Sequence, residues 1–161
     1  MAQPFALDIM RLTTFTDYTL RSLMYLGMHR DRLATIQDIA DLHGISKNHL
    51  TKVIHQLGMS GLVETVRGRN GGLRLRGEPA DINIGAVVRA SEPDFHMAEC
   101  FDAAAPGCAF AGACGLQGKL REATEAFLAV LDGVTLADLL PGARRQEHAI
   151  LLHMPERRPG S

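Results

Sequence analysis

The stretch Thr35-Ile36-Gln37-Asp38-Ile39-Ala40-Asp41-Leu42-His43-Gly44-Ile45-Ser46-Lys47-Asn48-His49-Leu50 decides how this chain is read. Thr35 followed three residues later by Asp38 matches a capping box with Asp in place of Glu, which satisfies the free N–H groups at a helix start. Ile36, Ile39 and Ala40 then give that helix one apolar face. Gly44 ends it, because glycine takes a left-handed conformation without steric cost. Ser46 caps a second helix, in which Leu50, Val53, Ile54 and Leu57 share one face. Lys47, Asn48, His49, Thr51, Lys52 and His55 fall mostly on the other. Two short helices joined by a glycine-containing turn predict a helix-turn-helix.

Working outward, Thr14 or Thr16 can cap an earlier helix with Leu20, Leu23, Met24 and Gly27 at helical spacing, and residues 30–32 form a polar loop. Downstream, Gly61 closes the second helix. Residues 62–66 alternate and are β-branched, 67–72 are a glycine-rich turn, and 73–76 alternate again, which predicts a hairpin. Asp81 caps a short helix over roughly 84–90. Residues 91–115 form a loop rich in Gly, Ala and Cys. Leu116, Leu120, Ala123, Phe127 and Val130 mark a long amphipathic helix that ends at Asp132-Gly133, and Thr135 opens a final turn through Leu140. The predicted fold is mainly α with a small β-hairpin. It comprises a winged helix-turn-helix over 10–90, a cysteine loop over 91–115, and a long helix with its final turn over 116–140. A loose extension, 1–9, and a flexible tail, 141–161, flank it.

The chain has 161 residues, 46% hydrophobic and 22% charged, with no Trp and two Tyr. That composition fits one globular domain with an appended helix, its core built from Leu, Ile, Val, Met and Ala. No apolar run approaches the ~18 residues that cross a bilayer. Residues 1–9 carry no basic residue and do not read as a secretory signal, so a cytoplasmic protein with reduced thiols and no membrane partner is expected. The net charge of −1 hides an asymmetry: Arg11–Gly77 carries ten Lys/Arg against five Asp/Glu, whereas residues 78–140 carry three against ten. A basic first half can meet phosphates while the acidic second half stays clear.

The polar face of the second helix suits the major groove of double-stranded DNA. Asn48 can bond adenine N6 and N7, and Lys47 and Lys52 can meet guanine O6 and N7. Ser46, His49, Thr51 and His55 can contact phosphates or bases. Arg67, Arg69, Asn70 and Arg74 surround the glycine turn, which can approach the backbone or a minor groove as a wing; Arg11 completes the expected DNA contacts. The bland alternative is a merely solvated helix face. The glycines fit neither the GxxxxGKS/T nor the GxGxxG spacing of nucleotide loops. No Cys–His pair sits in a setting that would make a nucleophilic enzyme.

Cys100, Cys108 and Cys114 are the only cysteines, separated by seven and five residues. Three thiols cannot all pair as disulfides. Soft thiolates gathered in one loop suit an iron–sulfur cluster or zinc, and the absence of CxxC argues against a zinc ribbon or finger. A zinc-stabilised interaction module remains the alternative. Three thiolates leave one coordination position, for which His96, Glu99, Asp102 or a distant residue can serve.

Several segments together resemble one family. Met10-Arg11-Leu12-Thr13-Thr14-Phe15-Thr16-Asp17-Tyr18 resembles the start of the nitric-oxide-sensing repressors called NsrR, within the Rrf family of winged-helix regulators. Ile45–Leu50 resembles their recognition helix and Val66–Gly72 their wing. Residues 81–85, Glu99–Asp102, the cysteine spacing and residues 130–139 also fit, so the resemblance runs from Met10 to about Leu140. It implies a homodimer paired through the long helix. It also implies a 4Fe–4S or 2Fe–2S cluster on Cys100, Cys108 and Cys114, with Asp17 of the partner subunit as fourth ligand. Nitric oxide, the implied effector, attacks that cluster and releases operator DNA. Gln117 stands where the iron-and-sulfur regulators IscR place a histidine ligand. The iron-responsive repressors RirA are the nearest alternative branch. Residues 1–9 and the tail from Pro141 have no counterpart in the family pattern.

Overall fold

The computed structural model describes residues 11–102, 108, 110 and 114–142; the expectations for the 1–9 extension, for most of 103–113 and for the tail beyond 142 lie outside the described residues. Six helices and one hairpin are described: α1 (Thr14–Met28), α2 (Ile36–His43), α3 (Lys47–Met59), β1 (Val63–Val66), β2 (Gly72–Leu75), α4 (Ile84–Ser91), α5 (Gly115–Asp132) and α6 (Leu136–Leu139). Short 3-10 turns occupy Pro79–Asp81 and Glu99–Phe101.

The helix-turn-helix forms as the local chemistry predicts. Thr35 and Asp38 make both halves of the capping box, and Gly44 sits at φ 64° with its N–H on the Ala40 carbonyl. The Ser46 side chain accepts from the His49 N–H. Leu50, Val53, Ile54 and Leu57 are buried together with Leu23 and Leu26 of α1 and Ile39 of α2. Burying each such side chain is worth roughly 1.5–3 kcal/mol, so α3 is anchored by four apolar contacts.

The hairpin pairs antiparallel, with Val63 opposite Leu75, Glu64 opposite Arg74, Thr65 opposite Leu73 and Val66 opposite Gly72. Leu73 also exchanges two backbone hydrogen bonds with Ala34 at 2.7 and 3.0 Å, which fastens the wing to the chain entering α2.

Two expectations are corrected, both of them helix caps. The N-cap of α1 is Thr13, not Thr14 or Thr16. Its side chain accepts from the Thr16 N–H, and its own N–H donates to Glu92 Oε1 at 2.7 Å, so the cap is chosen by a contact with the end of α4. The cap of α4 is Asn83, not Asp81, which belongs to the preceding 3-10 turn. Asn83 Oδ1 accepts from the Ala86 N–H while its Nδ2 donates to the Asp132 carbonyl, a second bond that a carboxylate could not donate. On α5, the stripe positions Leu116, Ala123, Phe127 and Val130 are exposed and Leu120 is half-buried, while Leu128 and Leu131, which lie outside that stripe, pack against the core.

The long helix is fastened at its C-terminal end. Arg89 of α4 grips the Asp132 carboxylate with two nitrogens, one at 2.7 Å. Gly85 of α4 packs so closely that a Cβ would come within 2.8 Å of the Asp132 nitrogen. Ile84 N–H donates to Val134 O and Leu136 N–H to Ile82 O, which carries the chain back onto α4. No helix among the described residues is long and apolar enough to cross a membrane.

Overpacking at so tight a contact costs typically ~1–3 kcal/mol. Gly85→Ala is therefore expected to lower the thermal midpoint by several degrees, and Gly85→Val further. Unchanged midpoints for both would mean that α4 and α5 are not locked at this point.

A half-buried histidine adds a pH dependence. His43 closes α2 against the edge of the Tyr25 ring, and its Nε2 is buried without a hydrogen-bond partner among the described residues. Burial lowers its affinity for a proton below the ordinary 6.5, the nearby Arg21 charge lowers it further, and Asp17 opposes both. The fold thus prefers neutral His43. That preference stabilises the protein fully above the unfolded value and is lost as pH falls below about 6.5. His43→Leu is expected to shrink the drop in thermal midpoint between pH 7.5 and 5.5; an identical drop in both proteins would contradict the assignment.

Candidate functional site

Because Leu50, Val53, Ile54 and Leu57 turn inward, Ser46, Lys47, Asn48, His49, Thr51, Lys52 and His55 are all exposed. They form a continuous polar surface along α3. Thr51 turns its hydroxyl to the Lys47 carbonyl at 2.9 Å, so that hydroxyl donates within its own helix. The His49 ring lies 6.2 Å from that of Tyr18 on α1, a contact that periodicity alone gave no means of finding.

At the wing, Arg67, Arg69 and Asn70 are exposed in the connection between the strands. Arg74 donates from Nε to Glu64 Oε2 at 2.9 Å and is thus engaged across the hairpin. That pairing holds the Glu64 carboxyl below the ordinary carboxylate range. Arg76, next in the alternation after Arg74, is exposed at the base of the wing and extends the basic surface beyond the residues expected from sequence. Arg11, at the start of the described chain, is exposed as well.

The cysteines are free thiols: Cys100 and Cys108 are exposed and Cys114 is half-buried. Cys100 lies in the 3-10 turn, and Cys114 is the N-cap residue of α5, with no side-chain cap hydrogen bond of its own. Gln117 in the first turn of α5 donates from Nε2 to the Cys100 carbonyl at 3.0 Å. Among the described residues, no three His, Cys, Asp or Glu side chains are gathered tightly enough to hold a metal ion. Of the other candidate ligands, His96 turns its backbone N–H to Asp94 Oδ1 at 3.0 Å. Asp17 is half-exposed on α1 and pairs with Arg21 at 3.0 Å. Three free thiols in one short segment, two of them exposed, fit a thiophilic iron–sulfur or zinc centre by the chemistry of the donor set.

Comparisons with known proteins agree with this layout. The model of the Rrf2 family, described as an iron-dependent transcriptional regulator, matches residues 12–142. The chain is similar to the HTH-type transcriptional regulator NsrR of Bacillus subtilis (strain 168), 51% identical over 148 residues that cover 91% of this chain and 100% of that one. Among solved structures it is similar to T. potens IscR, with a TM-score of 0.65 at 25% identity, covering 91% of this chain and 93% of that one. It is also similar to CymR, the global cysteine regulator of B. subtilis, with a TM-score of 0.65 at 26% identity over 81% and 96% of the two chains.

A base-reading residue and a phosphate-contacting residue have separable signatures. Asn48→Ala is expected to relax discrimination at one base pair by about 1–3 kcal/mol. Arg69→Ala is expected to weaken binding evenly across sequences and lower the salt slope by about 1. Competition binding over operator variants and a salt series tests both, and indistinguishable effects would refute the division of roles.

Proposed function

Because this chain belongs to the Rrf2 family of transcriptional regulators, we propose that it is a DNA-binding repressor whose hold on its operator is released by nitric oxide. Its relatives are transcriptional regulators and not enzymes. One observation carries the proposal: the exposed polar face of α3 and the wing cations belong to a reading head locked at Asp132 to a helix that begins at a free thiol.

Cys100, Cys108 and Cys114 are the residues that would hold an iron–sulfur cluster, 4Fe–4S or 2Fe–2S, with Asp17 of the partner subunit as fourth ligand. When bound, such a cluster supplies a thiolate-held junction that nitric oxide can attack. The chain's own residues do the rest. Leu116, Leu120, Ala123, Phe127 and Val130 form the stripe of α5 along which a second chain would pair. Two reading heads then meet half-sites about 10 base pairs apart, or a multiple of that. Asp17 lies on α1 beside Tyr18 in sequence, and the Tyr18 ring lies 6.2 Å from that of His49 on the reading helix, so a ligand held at Asp17 would bear on α1, which packs on α3. Coupling of ~1.4 kcal/mol suffices for each tenfold change in affinity. The protein would act in the cytoplasm, where thiols stay reduced.

The description of the family as iron-dependent favours one second reading, in which loss of iron itself releases DNA. Anaerobic purification with a visible spectrum, followed by nitric oxide titration at constant iron with operator DNA present, separates the two; a colourless zinc protein would refute both. Cys108→Ala is expected to bind operator at least tenfold more weakly than the cluster-loaded protein in a mobility-shift assay. Equal affinity would sink the switch.

A further inference from the structure

Gln117 occupies the third position of α5, where a Gln or Glu commonly reaches back to its own N-cap backbone. Here it reaches elsewhere. Its Nε2 donates to the carbonyl of Cys100, seventeen residues earlier, at 3.0 Å. The N-cap it passes over is Cys114, which makes no side-chain cap bond. One amide thus bridges the segment bearing the first cysteine to the helical turn that starts at the third. Phe101 N–H bonded to Ala98 O at 3.0 Å stiffens the Cys100 side of this clasp, and the helix stiffens the other.

We propose that Gln117 is a positioning residue that draws Cys100 and Cys114 together, so that the three thiols are presented to one centre. The proposal rests on the cluster reading above but concerns the chain's own geometry. Bringing two distant points of a chain together has an entropic cost, and a fixed contact between Gln117 and the Cys100 carbonyl removes part of that cost before any metal arrives. Gln117 acts through the backbone carbonyl and is not itself a ligand. An exposed amide hydrogen bond of this kind is worth about two- to tenfold in an equilibrium.

Four proteins test this: wild type, Gln117→Ala, Gln117→Glu and Gln117→Lys. Glutamate at this position favours the helix start but lacks a donor, whereas lysine keeps a donor that can reach the carbonyl. After anaerobic reconstitution, iron loss to a chelator is expected to accelerate about two- to tenfold in Gln117→Ala and Gln117→Glu. The visible circular dichroism of these two should change, and Gln117→Lys should recover toward wild type. In metal-free protein oxidised by diamide, the mass-mapped yield of the Cys100–Cys114 disulfide is expected to fall in the same two variants. Unchanged iron loss, dichroism and cross-linking would overturn the proposal. A wild type that takes up no iron, yet whose cross-linking still depends on Gln117, would refute the cluster reading while upholding the clasp.

Discussion

The arrangement of the molecule depends on how α5 is fixed at Asp132. The carboxylate there is gripped by both terminal nitrogens of Arg89, its backbone carbonyl is taken by Asn83, and Gly85 leaves no space between the helices. The two partners agree electrostatically, since Arg89 holds the Asp132 carboxyl low and Asp132 holds the guanidinium high. Both side chains are more than two-fifths exposed, so the pair matters less for stability than for direction. A forked, bidentate contact fixes an angle in a way that a single charge pair does not. From this point α4 passes the constraint to α1 through Glu92 and Thr13, and α1 packs directly on α3. The orientation of the long helix and that of the reading helix are therefore linked by rigid elements.

The reading helix separates its tasks by face. Leu50, Val53, Ile54 and Leu57 supply the stability, at several kcal/mol in sum even after discounting for a compact unfolded state. The opposite face contributes little to the fold, because substitutions of exposed residues away from caps and packing usually change stability by no more than about 0.5 kcal/mol. Lys47, Asn48, Lys52 and His55 are thus free to be chosen for the surface they meet. Thr51 and His49 are more constrained, one by its bond to the helix backbone and the other by the Tyr18 ring.

Most of the reading head was legible because its determinants are local. The capping box at Thr35, the left-handed Gly44 and the alternation on either side of residues 67–72 each fix structure within four or five residues. The misread caps were decided by distant partners. Thr13 caps α1 because Glu92 meets it, and Asn83 rather than Asp81 caps α4 because its amide must also donate to Asp132. On α5 the helical spacing marked the stripe from Leu116 to Val130, whereas the second apolar face, Leu128 and Leu131, is defined only by its packing against the core. At the candidate site, the residue types on α3 and the wing were visible as a pattern. The Arg74–Glu64 pair required the register of the hairpin, and the Gln117 clasp required a contact across seventeen residues.

Charge pairing also explains how a chain with a net charge of −1 can meet a polyanion. Within the basic half, Arg21, Arg30, Arg32 and Arg74 are each engaged by a carboxylate, on Asp17, Glu78, Asp38 and Glu64 respectively. Lys47, Lys52, Arg67, Arg69 and Arg76 enter no ion pair among the described residues. Apart from Arg11, the cations left over are those of α3 and the wing. Affinity for DNA grows with the number of phosphates neutralised, at a salt slope of about 0.9 per phosphate, and a cation already held by a carboxylate adds less to that number. These four carboxylates therefore focus the available positive charge on the surface that would face the duplex.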